Sequence, residues 1–206
     1  MRLSNNSAAP GGLPELAHRA NDSALGRRLE AHRDYLTILA RTQIGRRLQG
    51  KVDPADVVQE TFLHAVRDFA QFRGTSDQEF AGWLRQILAA RLADLLRRYC
   101  GTLGRDVRLE RALQVELDQS SQVLDRGLVA PLSSPSQKAA RHEQATWLAQ
   151  ALERLPEDYR EVLVLHHLEE LDFPEVARRM GRSVEAVKKL WARALARLRR
   201  SGGGTA

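Results

Sequence analysis

Between Asp172 and Arg200 two helical patterns meet across only three residues, Gly181-Arg182-Ser183. With Val184 at zero and a helical advance of about 100° per residue, Val184, Val187, Trp191, Ala194, Leu195 and Leu198 share one side. That spacing of three and four makes a stripe that has to be buried. Lys189, Arg193 and Arg200 fall opposite, with Glu185, Ala186 and Ala196 between them. In front lies a shorter helical segment, Phe173 to Met180. It opens on Asp172-Phe173-Pro174-Glu175, a capping-box pattern with Asp as the cap. Gly181 suits the position just past its end, where the chain turns left-handed. Ser183 suits the cap of the longer helix. A short helix, a tight turn with Gly, and a longer helix whose stripe turns inward form a helix-turn-helix.

The rest of the chain is helical in pattern too. Ala, Leu, Arg, Glu and Gln dominate, and β-branched runs alternating with polar residues are absent. The class expected is all-α: two small helical domains joined by a flexible linker, the C-terminal one carrying the helix-turn-helix. Helices are predicted over about 26–49, 54–70, 77–99, 107–117, 138–154, 157–169, 173–180 and 184–200. Asp53 is placed to cap free N–H groups ahead of Pro54, which suits a first helical position. Thr75 or Ser76 opens the next helix, with Asp77 and Glu79 in its first turn.

A length of 206 residues holds one ordinary domain or two small ones. The expected division is a flexible tail over 1–24, a domain over 25–100, a linker over 101–143, a second domain over 144–200 and a short tail over 201–206. The linker assignment rests on APLSSPSQ at 130–137, a Pro/Ser cluster. The start has no apolar core of the kind a secretory signal needs, and no run of about 18 apolar residues occurs. Cys100 is the only cysteine, so no intramolecular disulfide forms, which suits a reducing cytoplasm.

From Arg182 to Arg200 there are seven basic residues and one acid, Glu185, a net of +6 that equals the formal charge of the whole chain. Basic side chains neutralise phosphates, and the small Ala186, Ala192 and Ala196 let a helix sit close to groove walls. A solvated basic face, or a helix lying on a membrane surface, is the competing reading. The capped partner helix and the Gly-x-Ser turn favour DNA.

Charge comes in blocks in the first half. Residues 53–68 carry Asp53, Asp56, Glu60 and Asp68 against Arg67, a net of −3. Residues 41–51 hold only bases, and 82–105 hold Arg85, Arg91, Arg97, Arg98 and Arg105 against Asp94, a net of +4. An acidic helix between basic ones suits two different partners, or salt bridges within the domain. Val57, Val58, Thr61, Phe62, Ala65, Val66 and Phe69 form the expected core side of the acidic helix, with Asp56, Gln59 and Glu60 outside it. Just beyond, Phe69, Phe72, Phe80 and Trp83 gather around Arg73 and Gly74. Aromatics and a base beside a loop suit either a core junction or the capture of unstacked bases.

These segments resemble the bacterial sigma-70 superfamily in its extracytoplasmic-function (ECF) group, over about 27–100 and 144–200. DPADVVQETFLHAVRDFAQFRG is similar to the segment that grips the β′ clamp helices of core RNA polymerase. FAGWLRQILAARLADLLRRY is similar to the segment that reads the promoter −10 element. LERLPEDYREVLVLHHLEELDFPEVARRMGRSVEAVKKLWARALARLRR is similar to the −35-reading domain, which also meets the polymerase β flap. The resemblance implies that Asp56, Gln59 and Glu60 dock on polymerase. It implies that Phe72, Arg73, Gly74, Thr75 and Ser76 form the loop that takes a flipped −10 base. Trp83, Arg85 and Gln86 begin the helix leading from that loop. Arg91 stands farther along it, beside Ala90, where relatives usually have Asn. Arg182, Ser183, Glu185, Ala186, Lys188 and Lys189 match the start of the −35 recognition helix, and Arg193 continues its basic face. Arg or Lys pairs with guanine O6/N7, and Glu accepts from cytosine N4. Leu190 occupies a place where a basic residue is common.

The resemblance further implies a transcription initiation factor that directs core polymerase to promoters and helps melt them. Such a factor is cytoplasmic, monomeric when free, and in some cases held by an anti-sigma factor. It needs neither cofactor nor metal. The alternative is a stand-alone helix-turn-helix regulator that binds DNA without polymerase. An enzyme is disfavoured: no Gly-rich phosphate loop or nucleophile motif appears, and the adjacent His166 and His167 are expected on different sides of a helix.

Overall fold

The computed structural model of the protein describes residues 23–47, 52–100, 107–126 and 138–202. Of the tails expected over 1–24 and 201–206, residues 1–22 and 203–206 lie outside the described residues, as does the APLSSPSQ cluster, whereas 23–24 and 201–202 are helical. The chain divides into two units, one ending at Ala31 and one beginning at His32. The first contributes one helix, α1 (23–31), with Leu25 and Leu29 buried. A turn at His32 follows, so the single helix expected over 26–49 is two helices.

The second unit holds α2 (Arg33–Arg47), α3 (Pro54–Asp68), α4 (Asp77–Cys100), α5 (Val107–Arg126), α6 (Lys138–Glu153), α7 (Glu157–Leu163), α8 (Phe173–Met180) and α9 (Val184–Gly202). A single 3₁₀ turn, Phe69–Gln71, ends α3, and a π-turn, Val164–Leu168, ends α7. There is no strand among the described residues. Asp53 accepts a hydrogen bond from the Ala55 N–H at 2.9 Å, and Pro54 follows it, which fixes the start of α3.

Part of the expected linker, 107–126, is a helix nine residues longer than the pattern 107–117 suggested. It packs on α4 and α6, and α2 packs on α6 as well. Leu113, Leu117 and Leu124 are fully buried there, each contributing about 2 kcal/mol of apolar burial. The other large buried side chains of this core are Tyr35, Leu36, Ile38, Leu39, Phe80, Leu84, Leu88, Leu92 and Leu152.

The helix-turn-helix forms as its sequence requires. The Asp172 carboxylate accepts from the Glu175 N–H at 2.9 Å. Gly181 adopts φ 61°, a left-handed conformation that a Cβ would strain. Around it the Arg182 N–H bonds the Ala177 carbonyl at 3.0 Å and the Gly181 N–H bonds that of Arg178 at 3.4 Å, a Schellman turn. Ser183 Oγ then accepts from the Ala186 N–H at 3.2 Å and starts α9. Val187, Ala194, Leu195 and Leu198 are buried, against α7 and α8.

Candidate nucleic-acid interface

On α9 the buried stripe leaves one continuous outer face. Arg182, Ser183, Glu185, Ala186, Lys188, Lys189 and Arg193 are all exposed. Arg182 is tethered to Asp158 at 2.6 Å, and Lys188 to Glu185 at 3.1 Å. Both pairs are solvent-facing and worth little, so an incoming phosphate or base competes easily. Among the described residues Lys189, Arg193, Arg197, Arg199 and Arg200 make no ion pair. Ser183 spends its hydroxyl on the cap, so its contribution is to orient the helix start.

The −10 candidates divide. Arg73, Thr75, Ser76 and Gln86 are exposed, and Phe72, Gly74 and Trp83 are half-buried. Phe72 lies 6.2 Å from Phe69, 5.4 Å from Phe80 and 5.1 Å from Trp83, centroid to centroid. Phe80 is the buried centre of this group, and Trp83 and Phe72 are its partly open edge. The cluster is therefore both a core junction and a platform of ring edges beside an exposed loop. Arg73 bends back to donate to the Ala70 carbonyl at 2.9 Å.

The loop is set by a carboxylate that sequence reading placed only in a first turn. Glu79 Oε2 accepts from the Thr75 N–H at 2.8 Å and from the Ser76 N–H at 3.0 Å, while Ser76 Oγ accepts from the Glu79 N–H at 3.2 Å. This is a reciprocal capping box, and its Ser-x-x-Glu spacing is legible in the sequence. The Ser76 and Thr75 amides hold the Glu79 carboxyl well below the usual carboxylate range, at about 2. The Thr75 and Ser76 amides, and the Ser76 hydroxyl that donates to Glu79 Oε2 at 3.0 Å, are thus committed to Glu79.

Gly74 is demanded by close approach. A Cβ there would sit 2.4 Å from the edge of the Phe72 ring and 2.8 Å from Glu79 Cβ. The ring cannot retreat without disturbing Phe80 and Trp83. Gly74→Ala is expected to cost about 1–3 kcal/mol in urea denaturation. In a Phe72→Ala background the same change should cost less, because the ring is gone and only the 2.8 Å approach to Glu79 Cβ is left to relieve.

Arg85 and Arg91, both expected at DNA, are held inside the protein. Arg85 Nε donates to Asp118 Oδ1 at 2.7 Å and Arg85 Nη1 to the Tyr35 hydroxyl at 2.8 Å, leaving the side chain 17% exposed. Arg91 pairs with Asp94 at 2.8 Å and approaches His64 Nε2 at 3.1 Å. The charge alternation read from the sequence is thus partly internal pairing.

On α3, Asp56, Gln59 and Glu60 are exposed and share a face, as expected. Val66, expected in the core, is 56% exposed, and Leu63 is 59% exposed. Both extend that face by helical spacing from Gln59 and Glu60. Val57, Val58, Thr61, Phe62 and Ala65 are buried as expected. Gln59 accepts from Arg33 at 3.5 Å, and the Arg33 guanidinium lies over the Phe62 ring at 5.0 Å.

The two adjacent histidines do not point apart. Both rings, carried on the π-turn, enter one cluster, 5.0 Å from each other. His166 stacks on Phe173 at 4.3 Å, and Trp191 Nε1–H donates to His167 Nε2 at 3.0 Å. This anchors α9 to the turn after α7. Among the described residues no group of three His, Cys, Asp or Glu side chains could hold a metal.

Burial, with His166 adding repulsion, lowers the His167 pKa to about 4. An unfolded His titrates near 6.5, so between those values the unfolded chain binds a proton that the folded one refuses. Stability therefore falls as pH drops from 7 through 6.5 toward 4. Allowing for solvent screening of a partly open ring, the loss between pH 7 and pH 5 is about 1 kcal/mol. His167→Gln, which keeps an acceptor for Trp191, is expected to remove most of that slope in thermal melts.

Against known proteins, residues 30–99 match the family described as Sigma-70 region 2, and residues 145–198 match that described as Sigma-70, region 4. The chain belongs to the sigma-70 family, in its ECF group. It is 31% identical over 146 residues to "Probable RNA polymerase sigma factor RfaY" of Xanthomonas campestris pv. campestris, covering 70% of this chain and 32% of that protein. It is 29% identical over 136 residues to "ECF RNA polymerase sigma-E factor" of Salmonella typhimurium, covering 66% of each. The chain thus spans about a third of the first relative's length and just under two thirds of the second's. Among solved structures it is similar to CnrH in complex with the cytosolic domain of CnrY, at 25% identity and a TM-score of 0.32, covering 93% of this chain and 96% of that one.

Proposed function

We propose that the protein is a transcription initiation factor that brings core RNA polymerase to promoters and helps open them. The α3 face of Asp56, Gln59, Glu60, Leu63 and Val66 docks on the β′ clamp helices. The loop Phe72–Ser76, with Trp83 and Gln86, receives −10 bases as the strands part. The start of α9 enters the −35 major groove, where Lys188 and Lys189 reach guanine or phosphate and Glu185 reaches cytosine. The domain bearing α9 meets the polymerase β flap. The factor does no covalent chemistry and works in the cytoplasm as a monomer when free, open to control by an anti-sigma protein.

One observation carries this reading: every residue expected to meet the −35 element, from Arg182 and Ser183 just ahead of α9 to Arg193 along it, is exposed. No helix of the described residues is long and apolar enough to cross a membrane. The test is co-purification with core polymerase at moderate salt. A stoichiometric complex is expected. DNA binding without any complex would instead identify a stand-alone regulator.

A further inference from the structure

Arg85 sits at the start of the helix that leads from the −10 loop, yet its guanidinium faces α5. Two of its N–H groups are committed, one to Asp118 and one to Tyr35. Tyr35 is fully buried and passes the network on, donating to Ser121 Oγ on α5 at 2.9 Å. Gln114 Nε2 donates to both Asp118 oxygens at 3.1 Å and so orients the carboxylate. Three side chains of α5 thus converge on one arginine and its phenol partner. Between Gln114 and Asp125, α5 carries Glu116, Asp118 and Asp125 and no base. Nearby on α4, Gln86 remains exposed and Trp83 half-open. Arg85 is the member of this group that α5 withholds.

We propose that α5 is an intramolecular clasp: Asp118 occupies Arg85 in the free protein, and single-stranded DNA competes with α5 for that guanidinium. The inference rests on the reading of α4 as the −10 helix. The chemistry of exchange is direct. A phosphate offers the same planar guanidinium the same bidentate acceptor geometry as a carboxylate. Asp118 is 40% exposed, so an anion approaches the pair from solvent. Phosphate and carboxylate repel, so engaging one displaces the other. Because the Arg85 side chain is itself mostly covered, DNA reaches it only as α5 loosens. The acidic stretch of α5 then stands in for nucleic acid until a strand is available.

The test is a double-mutant cycle read by fluorescence anisotropy, using the full chain and a labelled single-stranded 20-mer of mixed sequence. Asp118→Ala keeps a good helix former in α5, and is expected to tighten binding at least fivefold. In an Arg85→Gln background the same substitution should change affinity less than twofold. A general effect of deleting one negative charge would appear equally in both backgrounds and would overturn the clasp, as would unchanged affinity in Asp118→Ala. Independently of any variant, hydrogen exchange of α5 amides in the wild-type chain should quicken at least fivefold when the 20-mer is bound. Protection of α5 that stays undiminished overturns the proposal. Capture of core polymerase is measured in parallel: if the wild-type chain captures none, the initiation-factor reading fails, while the cycle still decides the clasp.

Discussion

Replacing Asp56 and Glu60 together by Lys is expected to weaken binding to core RNA polymerase more than a hundredfold, with stability lowered by about 1 kcal/mol because Asp56 lies in the first turn of α3. Both carboxylates are exposed on α3, away from Val57, Val58, Thr61, Phe62 and Ala65, so the fold does not depend on them. Each reversal turns an attraction at the proposed interface into a repulsion, and juxtaposed like charges in an interface cost several kcal/mol. The charged pair does not act alone. Leu63 and Val66 present large apolar surface to solvent on the same face, and a partner that covers them gains about 25 cal/mol per Å² of apolar area. Leu63→Ala is therefore expected to weaken capture about tenfold without loss of stability. Pull-down against immobilised core polymerase, with circular dichroism melts in parallel, measures both effects. Wild-type capture by the double Lys variant would remove α3 from the interface.

The second large effect belongs to α9. Lys189→Glu with Arg193→Glu is expected to lower affinity for a −35 duplex by about 3 kcal/mol, more than a hundredfold. Both side chains are exposed, and neither makes an ion pair among the described residues, so their charge is available to DNA. Reversal loses a phosphate or base contact at each position and adds repulsion from the backbone. The salt dependence should fall with it, since fewer counterions are released. A duplex affinity and salt slope equal to the wild type's would place the DNA face elsewhere. Arg182→Ala is a smaller perturbation, because it removes one charge at one position and reverses none.

The helix-turn-helix was legible because its determinants are local. Asp172, Gly181 and Ser183 act on backbone groups within a few residues of themselves, and the stripe from Val187 to Leu198 follows from one helical period. The α9 candidates followed for the same reason: a residue opposite a buried stripe is exposed. What escaped sequence reading depends on partners far along the chain. Arg85 looked like a free base near an aromatic loop, but its partner Asp118 lies 33 residues on, in a helix whose burial needs α4 and α6. The same tertiary support extends α5 past residue 117. Val66 was assigned inward because it is apolar, whereas the arc of α3 that packs is narrower and stops at Ala65. His166 and His167 were expected on different sides of a helix, whereas both rings pack against Trp191. The Glu79 cap was readable as Ser-x-x-Glu, but its reach to the Thr75 amide comes from the loop conformation that Gly74 permits.

The central claim is that α3, the −10 loop and α9 act together on one promoter. The most direct measurement is run-off transcription with purified core polymerase, this chain and a pool of double-stranded genomic promoter fragments. Discrete transcripts that require the chain, and disappear with either the α3 or the α9 charge reversals, are the predicted result. The absence of any chain-dependent transcript, while an authentic initiation subunit supports synthesis in the same mixture, would contradict it.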